Sequence, residues 1–301
     1  TAKELQKFGD RLVNLKIKNR VAILFSHDSN AALNIMPFKS AKADMWGNSN
    51  NIYRNELVGQ MHAVLYRNNI GVDFIFPENA NFEDYDLVVI PSLYIASDEL
   101  LNRISRYVES GGHVVMQFKS GFCDENSMVR PVLAPGPLRK ACGFYYQEFS
   151  NIGELKLSGN PFGIDEKENK VTDWVEYIIP ETAAVLAQYD HPQFGKYPAV
   201  TLNRYGKGTL LYEGTKLSDR LQEKVLTDAL KRAGLENEIQ SLHWPIITKK
   251  GINDFGNTVH YFYNYSSVPG EIEYSYGAGK ELISEIGSPK EIKFKLNPGE
   301  S

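Results

Sequence analysis

The stretch YDLVVIPSLYIASDELLNRISRYVESGGHVVMQF, Tyr85 to Phe118, decides the fold. It opens on a short apolar run, Leu87 to Ile90, and closes on another, His113 to Phe118. Runs this short and apolar suit strands buried on both faces. Between them, Leu100, Leu101, Ile104 and Val108 recur at helical spacing. Ser97 stands where an N-cap belongs, Asp98 and Glu99 suit the positive end of the helix dipole, and Gly111-Gly112 ends the pattern. Strand, helix, strand in this order means parallel strands joined by a right-handed crossover, the unit of a doubly wound α/β sheet.

Working outward, Arg20 to Phe25 (RVAILF) and the segment 71–78 (GVDFIFPE) read as two more strands of that sheet. Between them, Leu57, Val58, Met61, Val64 and Leu65 mark one helical face within 51–69. The first 19 residues read as a polar amphipathic helix through Leu5, Phe8, Leu12 and Leu15. Residues 119–170, with Pro131, Pro135, Pro137 and Pro161, show little periodicity. A segment that long within a compact domain marks a functional loop or an interface. Tyr197 to Thr215 reads as two strands about a Gly206-Lys207-Gly208 turn. A last helix follows, capped by Ser218 and ended by Gly234. Beyond about 240 no helical face appears. Strands around Asn253-Asp254 and Phe255-Gly256, then Val259 to Tyr265, Ile272 to Tyr276 and Ile292 to Leu296, predict a small all-β module. The expected domains are a lead-in helix at 1–19, an α/β domain at 20–240 and a β domain at 241–301.

Composition narrows the function. The 301 residues carry 33 Lys+Arg and 37 Asp+Glu, a formal charge of −4. No basic excess is available to displace counterions, which argues against nucleic acid as a partner. No apolar run is long enough to cross a membrane as a helix. Two cysteines, Cys123 and Cys142, make neither a disulfide scaffold nor a zinc framework. Six scattered histidines lack ligand spacing, so neither a metal site nor a cofactor is expected. The compartment is not legible, with the cytoplasm favoured.

One motif invites a catalytic reading. Gly121-Phe122-Cys123-Asp124-Glu125 follows a strand and nearly matches the GxCxG turn of class I glutamine amidotransferases, and His191-Pro192-Gln193 lies near that family's HPE pattern. A cysteine nucleophile needs a base, a group to orient that base, and a helix directly behind it. Here Gln193 replaces the orienting acid, Glu125 replaces the second glycine, and prolines follow. The expectation is a relative of that fold without its chemistry; a Cys123/His191 amide hydrolase is the alternative. The aromatic clusters at 143–149 (GFYYQEF) and 261–265 (YFYNY) raise a third reading, a carbohydrate-binding module, although aromatics more often pack cores and interfaces.

Taken together, Gly9–Leu33, Met61–Glu78, Tyr85–Asn126, Ala134–Asn151 and Tyr189–Thr215 resemble, in one collinear series, the C-terminal half of a glycoside hydrolase family 42 β-galactosidase. Lys119-Ser120-Gly121 and Pro135-Gly136-Pro137-Leu138 are its more specific elements. Asn30-Ala31-Ala32 departs from the tryptophans that many members carry there. The resemblance implies a three-part parent: a catalytic (β/α)₈ barrel, an amidotransferase-like (flavodoxin-like) trimerisation domain, and a small β domain. Only the second and third parts are matched, so no catalytic glutamate is carried over. The chain, which opens on Thr1 rather than Met, is expected to have followed the barrel and to be inactive alone. The implied partners are copies of itself in a homotrimer and the barrel, with galactosides reached only through the parent. Lys119, Phe122, Asn126, Arg130, Phe144, Tyr145 and Tyr146, in or beside the proline-rich loop, are the candidate interface or cleft-shaping residues.

Overall fold

A computed structural model describes residues 2–39, 51–236, 242–274, 279–282, 287–288 and 292–299. They fall into two compact units. One comprises Arg20–Leu65 with Val72–Asn237; the other comprises Thr1–Asn19, Tyr66–Gly71 and Glu238–Ser301.

The chain begins with helix α1 (Ala2–Phe8) and one 3-10 turn, Gly9–Arg11. The helix expected over 19 residues is thus much shorter. Lys16 instead makes an isolated antiparallel bridge with Ile252, which takes its backbone out of any helix.

In the larger unit, β1 (Val21–Leu24), β2 (Val72–Ile75), β3 (Leu87–Ile90) and β4 (His113–Gln117) form parallel ladders in the order β2-β1-β3-β4. Helix α2 (His27–Ile35) follows β1. The sequence reading had no helix there, because its face is weakly apolar and only Ser29 and Leu33 are buried. Its one strong signal is Ser26, whose hydroxyl accepts from the Ser29 N–H. A six-residue π-helical turn, Tyr53–Val58, leads into α3 (Gly59–Arg67). Helix α4 (Asp98–Ser110) is capped by Ser97 as its sequence predicts. It lays Leu100, Leu101, Ile104 and Val108 against Val88, Ile90, Val114 and Met116 of the sheet. Gly112 is required here, since a Cβ would stand 2.2 Å from the Tyr107 ring.

The short α5 (Arg139–Cys142) precedes a small ladder of β5 (Phe144–Tyr145) with a later strand. Next come β6 (Phe149–Lys156) and β7 (Lys170–Glu176), then β8 (Ile179–Pro180), the partner of β5, and β9 (Ala184–Gln188). Strands β10 (Pro198–Tyr205) and β11 (Gly208–Glu213) make the expected hairpin. The main sheet therefore has seven strands in the order β2-β1-β3-β4-β11-β10-β9. β11 runs parallel to β4, whereas β10 and β9 are antiparallel. The expected parallel sheet is thus a mixed one, its parallel strands β2-β1-β3-β4-β11 extended by the antiparallel β10 and β9. The tight Gly206-Lys207 turn admits only an antiparallel partner, because a parallel return needs a long crossover. Strand β12 (Thr215–Leu217) joins β7 and β6 in a second sheet, and α6 (Asp219–Arg232), capped by Ser218, closes the unit.

In the smaller unit, β13 (Ile246–Ile252) and β14 (Thr258–Asn264) form one antiparallel pair. β15 (Gly270–Tyr274) pairs with β18 (Ile292–Leu296), and β16 (Gly279–Lys280) with β17 (Gly287–Ser288). Ile246, Ile272 and Leu296 make a small core with Phe262 and Phe294 packed against it. The strand expected to run to Tyr276 ends at Tyr274 among the described residues; Ser275 and Tyr276 lie outside them.

Candidate functional site

Where β4 ends, the backbone turns sharply. Lys119 takes φ +59° and Gly121 φ +70°. A non-glycine residue in the left-handed region is a strained choice, kept only where its surroundings enforce it. Ser120 supplies part of that enforcement. Its hydroxyl donates to the Gln117 carbonyl (2.7 Å) and accepts from the Leu93 N–H (3.0 Å). Gly121 cannot carry a side chain, since a Cβ would lie 2.7 Å from the Pro135 carbonyl oxygen.

The turn aims the Lys119 N–H at Glu176, the last residue of β7, whose Oε1 accepts it at 2.7 Å. The Tyr212 hydroxyl donates to the other oxygen at 2.8 Å, and Trp174 Nε1 lies 3.4 Å from Oε1. Glu176 is fully buried, and burial pushes its carboxyl up to about 7 against the pull of these donors. The Lys119 ammonium lies 4.4 Å from the centre of the Trp174 ring and 4.7 Å from that of Tyr94. Burial lowers its pKa, with Glu176 and Cys123 pulling the other way. Phe122 stacks on Tyr94 at 5.7 Å and meets Phe149 edge-on at 5.7 Å, while Phe149 stacks on Trp174 at 4.6 Å. Two aromatic rings, Tyr94 and Trp174, thus flank the lysine, with Phe122 and the partly exposed Phe149 stacked behind them. Cation–π attraction helps hold that charge away from water.

Glu213, at the end of β11, is buried separately. It accepts from Gln222 Nε2 of α6 at 2.6 Å, and burial raises it to about 8. A polar cleft of about 390 Å³ lies elsewhere in the same unit, lined by Glu56, Gln60, Lys216 and Asp219 among others. There Lys216 pairs with Glu56 at 2.5 Å and with Asp173 at 3.3 Å.

The loop beyond these rings is anchored by Arg130. Its Nη2 donates to the Ala96 carbonyl (2.6 Å) and pairs with Asp98 at the start of α4 (2.8 Å). Of the residues singled out from sequence, Lys119 and Arg130 are buried organisers of the loop. Phe144 and Tyr146 are core residues and present nothing to a partner. Tyr145 is half-buried beside Arg139, Phe122 is half-buried against Tyr94, and Asn126 is exposed. Unforeseen from sequence were Met128, Val129 and Val132, which stand 65%, 60% and 60% exposed on the same loop. Tyr94, Phe149 and Trp174 were also missed, because they lie far apart in sequence.

The amidotransferase alternative finds no support in this geometry. Cys123 is buried in extended backbone, bridged to Ile95 and Val129, and no helix follows it. His191 stacks on Phe194, and its Nδ1 accepts from the Gln193 and Phe194 N–H groups of its own turn. Lys119, not Cys123, sits at the strained turn after the strand. Cys123 and Cys142 are both free and buried.

Residues 19–236 match the β-galactosidase trimerisation-domain family. The chain belongs to that family. This trimerisation-domain chain is 34% identical over 212 residues to a β-galactosidase from a Geobacillus strain, covering 70% of this chain and 30% of that protein. It is 26% identical over 294 residues to a β-galactosidase of Lactobacillus acidophilus, covering 97% and 42%. A crystal structure of β-galactosidase from Bacillus circulans sp. alkalophilus shares its fold, with a TM-score of 0.83 at 22% identity over 99% of this chain and 43% of that one. The trimerisation-domain chain therefore spans between a third and a half of most such relatives, and somewhat less of the Geobacillus protein.

Proposed function

We propose that this chain is an assembly module of a β-galactosidase and breaks no bond by itself. It joins copies of itself into a homotrimer around a three-fold axis through the loop after β4. The observation that carries this reading is the exposed set Met128, Val129 and Val132 on a loop pinned at Arg130, within residues that match a trimerisation family. Phe122, Asn126 and Tyr145 flank it as contact or cleft-shaping residues, with Lys119 and Arg130 setting the loop's shape. Hydrolysis of terminal β-galactosides belongs, on this reading, to a catalytic barrel elsewhere in the parent, with which the module also packs. The frame is amidotransferase-like: a strand, a strained turn and a following glycine are kept, while the nucleophile is replaced by a lysine. The division at 20–240 and 241–301, with 1–19 as a lead-in, is part of the same proposal.

Obligate oligomers bury about 2,000 Å² or more per interface, with apolar centres. Light scattering on the purified chain at tens of micromolar is the test. A trimer is expected, and Val129→Glu with Val132→Glu is expected to return it to monomer with unchanged secondary structure. A strictly monomeric parent chain, or a trimer indifferent to both substitutions, overturns the reading.

A further inference from the structure

The smaller unit carries a row of aromatic rings apart from the loop proposed above for assembly. Tyr261, Tyr263 and Tyr265 alternate along β14 and just past it, so they share one face of the β13–β14 pair, while Phe262 turns to the core. Their rings form a row. Tyr261 and Tyr263 are 6.3 Å apart with planes 4° from parallel, and Tyr263 and Tyr265 are 6.3 Å apart at 34°. Trp244 extends the row, stacked on Tyr265 at 5.5 Å and 15°. The outer end is wet: Trp244 is 49% exposed and Tyr265 56%. Tyr66 joins from the side, hydrogen-bonded to Tyr265, with the Lys249 ammonium 5.0 Å from its ring centre.

A row selects a linear ligand, whereas a compact apolar patch selects a globular one. The two exposed rings, Trp244 and Tyr265, keep apolar surface open to solvent, and each Tyr or Trp of the row carries a polar tip that remains a hydrogen-bond donor. A pyranose matches both: one face is a sheet of C–H bonds, and its rim carries hydroxyls. Burial and neighbouring hydroxyls hold Tyr261 and Tyr263 above the ordinary tyrosine range, so their tips stay neutral donors. Burial lowers the pKa of Lys249. The formal charge of −4 leaves no basic excess, and this disfavours a nucleic-acid strand, whose binding leans on phosphate neutralisation.

The geometry points to a saccharide-binding strip, formed by Trp244, Tyr265, Tyr263 and Tyr261, that takes an extended neutral oligosaccharide of several pyranose units. The choice of a galactose-built ligand rests on the proposed β-galactosidase parent; the strip itself does not.

Isothermal titration of the full chain with galactose and with a β-linked galactotetraose tests it. Binding is expected to tighten at least about tenfold from monosaccharide to tetrasaccharide, and to weaken about tenfold for each ring removed in Tyr265→Ala or Trp244→Ala, a stacking-sized loss. Trp244→Phe, which keeps a ring, is expected to retain most of the affinity and guards against a folding artefact. No tetrasaccharide binding at millimolar concentration, or binding indifferent to both alanine variants, overturns the strip. So does a preference for an oligothymidine strand, or a loss of self-association in the strip variants, which would make the row an interface between copies. A trimer that binds no sugar defeats this inference alone. A monomer that binds sugar through these rings defeats the assembly reading alone.

Discussion

Two aromatic groups among the described residues, one around Lys119 and one along β14, are built from similar residues and come to different ends. Around Lys119, Tyr94 and the buried Trp174 face the lysine cation, and Phe122 and Phe149 stack on them, Phe149 keeping 41% of its surface open. Along β14, the rings of Tyr261, Tyr263 and Tyr265 follow one another on one strand face, half-buried at Tyr261 and Tyr263 and open to solvent at Tyr265. A packed cluster stabilises the chain that makes it. An open row contributes little to folding, which leaves its contact area for something else. Residue type does not separate these cases; strand geometry does. Alternation along one strand puts rings in a row, whereas four chain segments, after β3, after β4, in β6 and in β7, bring rings together beside Lys119.

The contrast should appear first in stability. Trp174→Ala removes a buried ring and is expected to cost about 3–5 kcal/mol in urea unfolding. Tyr265→Ala, on the open row, should cost about 1 kcal/mol or less. Equal losses would break the distinction.

The next effect is one of pH. Glu176 and Glu213 titrate near 7 and 8 in the folded chain, against an ordinary 4.5. Above about pH 4.5 the unfolded chain gives up protons that the folded chain keeps, so stability should fall as pH rises. The slope reaches up to about 1.4 kcal/mol per pH unit for each carboxyl. The fall should level off near pH 7 for Glu176 and near pH 8 for Glu213. Glu213→Gln should remove its own share and leave the Glu176 share in place; a flat profile from pH 5 to 8 in the parent chain would contradict the burial of both acids.

The smallest effect concerns the cation itself. Lys119→Met keeps the stem and deletes the charge, and should cost about 1 kcal/mol if the rings of Tyr94 and Trp174 compensate its desolvation. A gain in stability would mean that burial dominates and that the rings merely tolerate the lysine.

The fold is legible in the sequence where its signal is local. The crossover between β3 and β4 was legible because Ser97, the apolar spacing of α4 and Gly111-Gly112 each speak for one helix. The β10–β11 turn was legible for the same reason. Helix α2 was not, because so little of it is buried that periodicity fades and only the Ser26 cap is left. Phe144 and Tyr146 were taken for surface contacts because an aromatic cluster in a proline-rich loop looks the same whether it faces inward or outward.

By itself, then, the sequence determined β1 to β4, the β10–β11 hairpin, the order of the crossover, the break in texture near residue 240 and the likeness to one enzyme family, because each is written in neighbouring residues; β5 to β9, within and just past the segment read as an aperiodic loop, were not legible. Only the tertiary structure decided that Lys119 holds a strained turn over a buried acid, that Met128, Val129 and Val132 stay open, and that the aromatics divide into a cluster and a row. Burial and ring geometry depend on which distant strands arrive alongside, and no local pattern of residues records that.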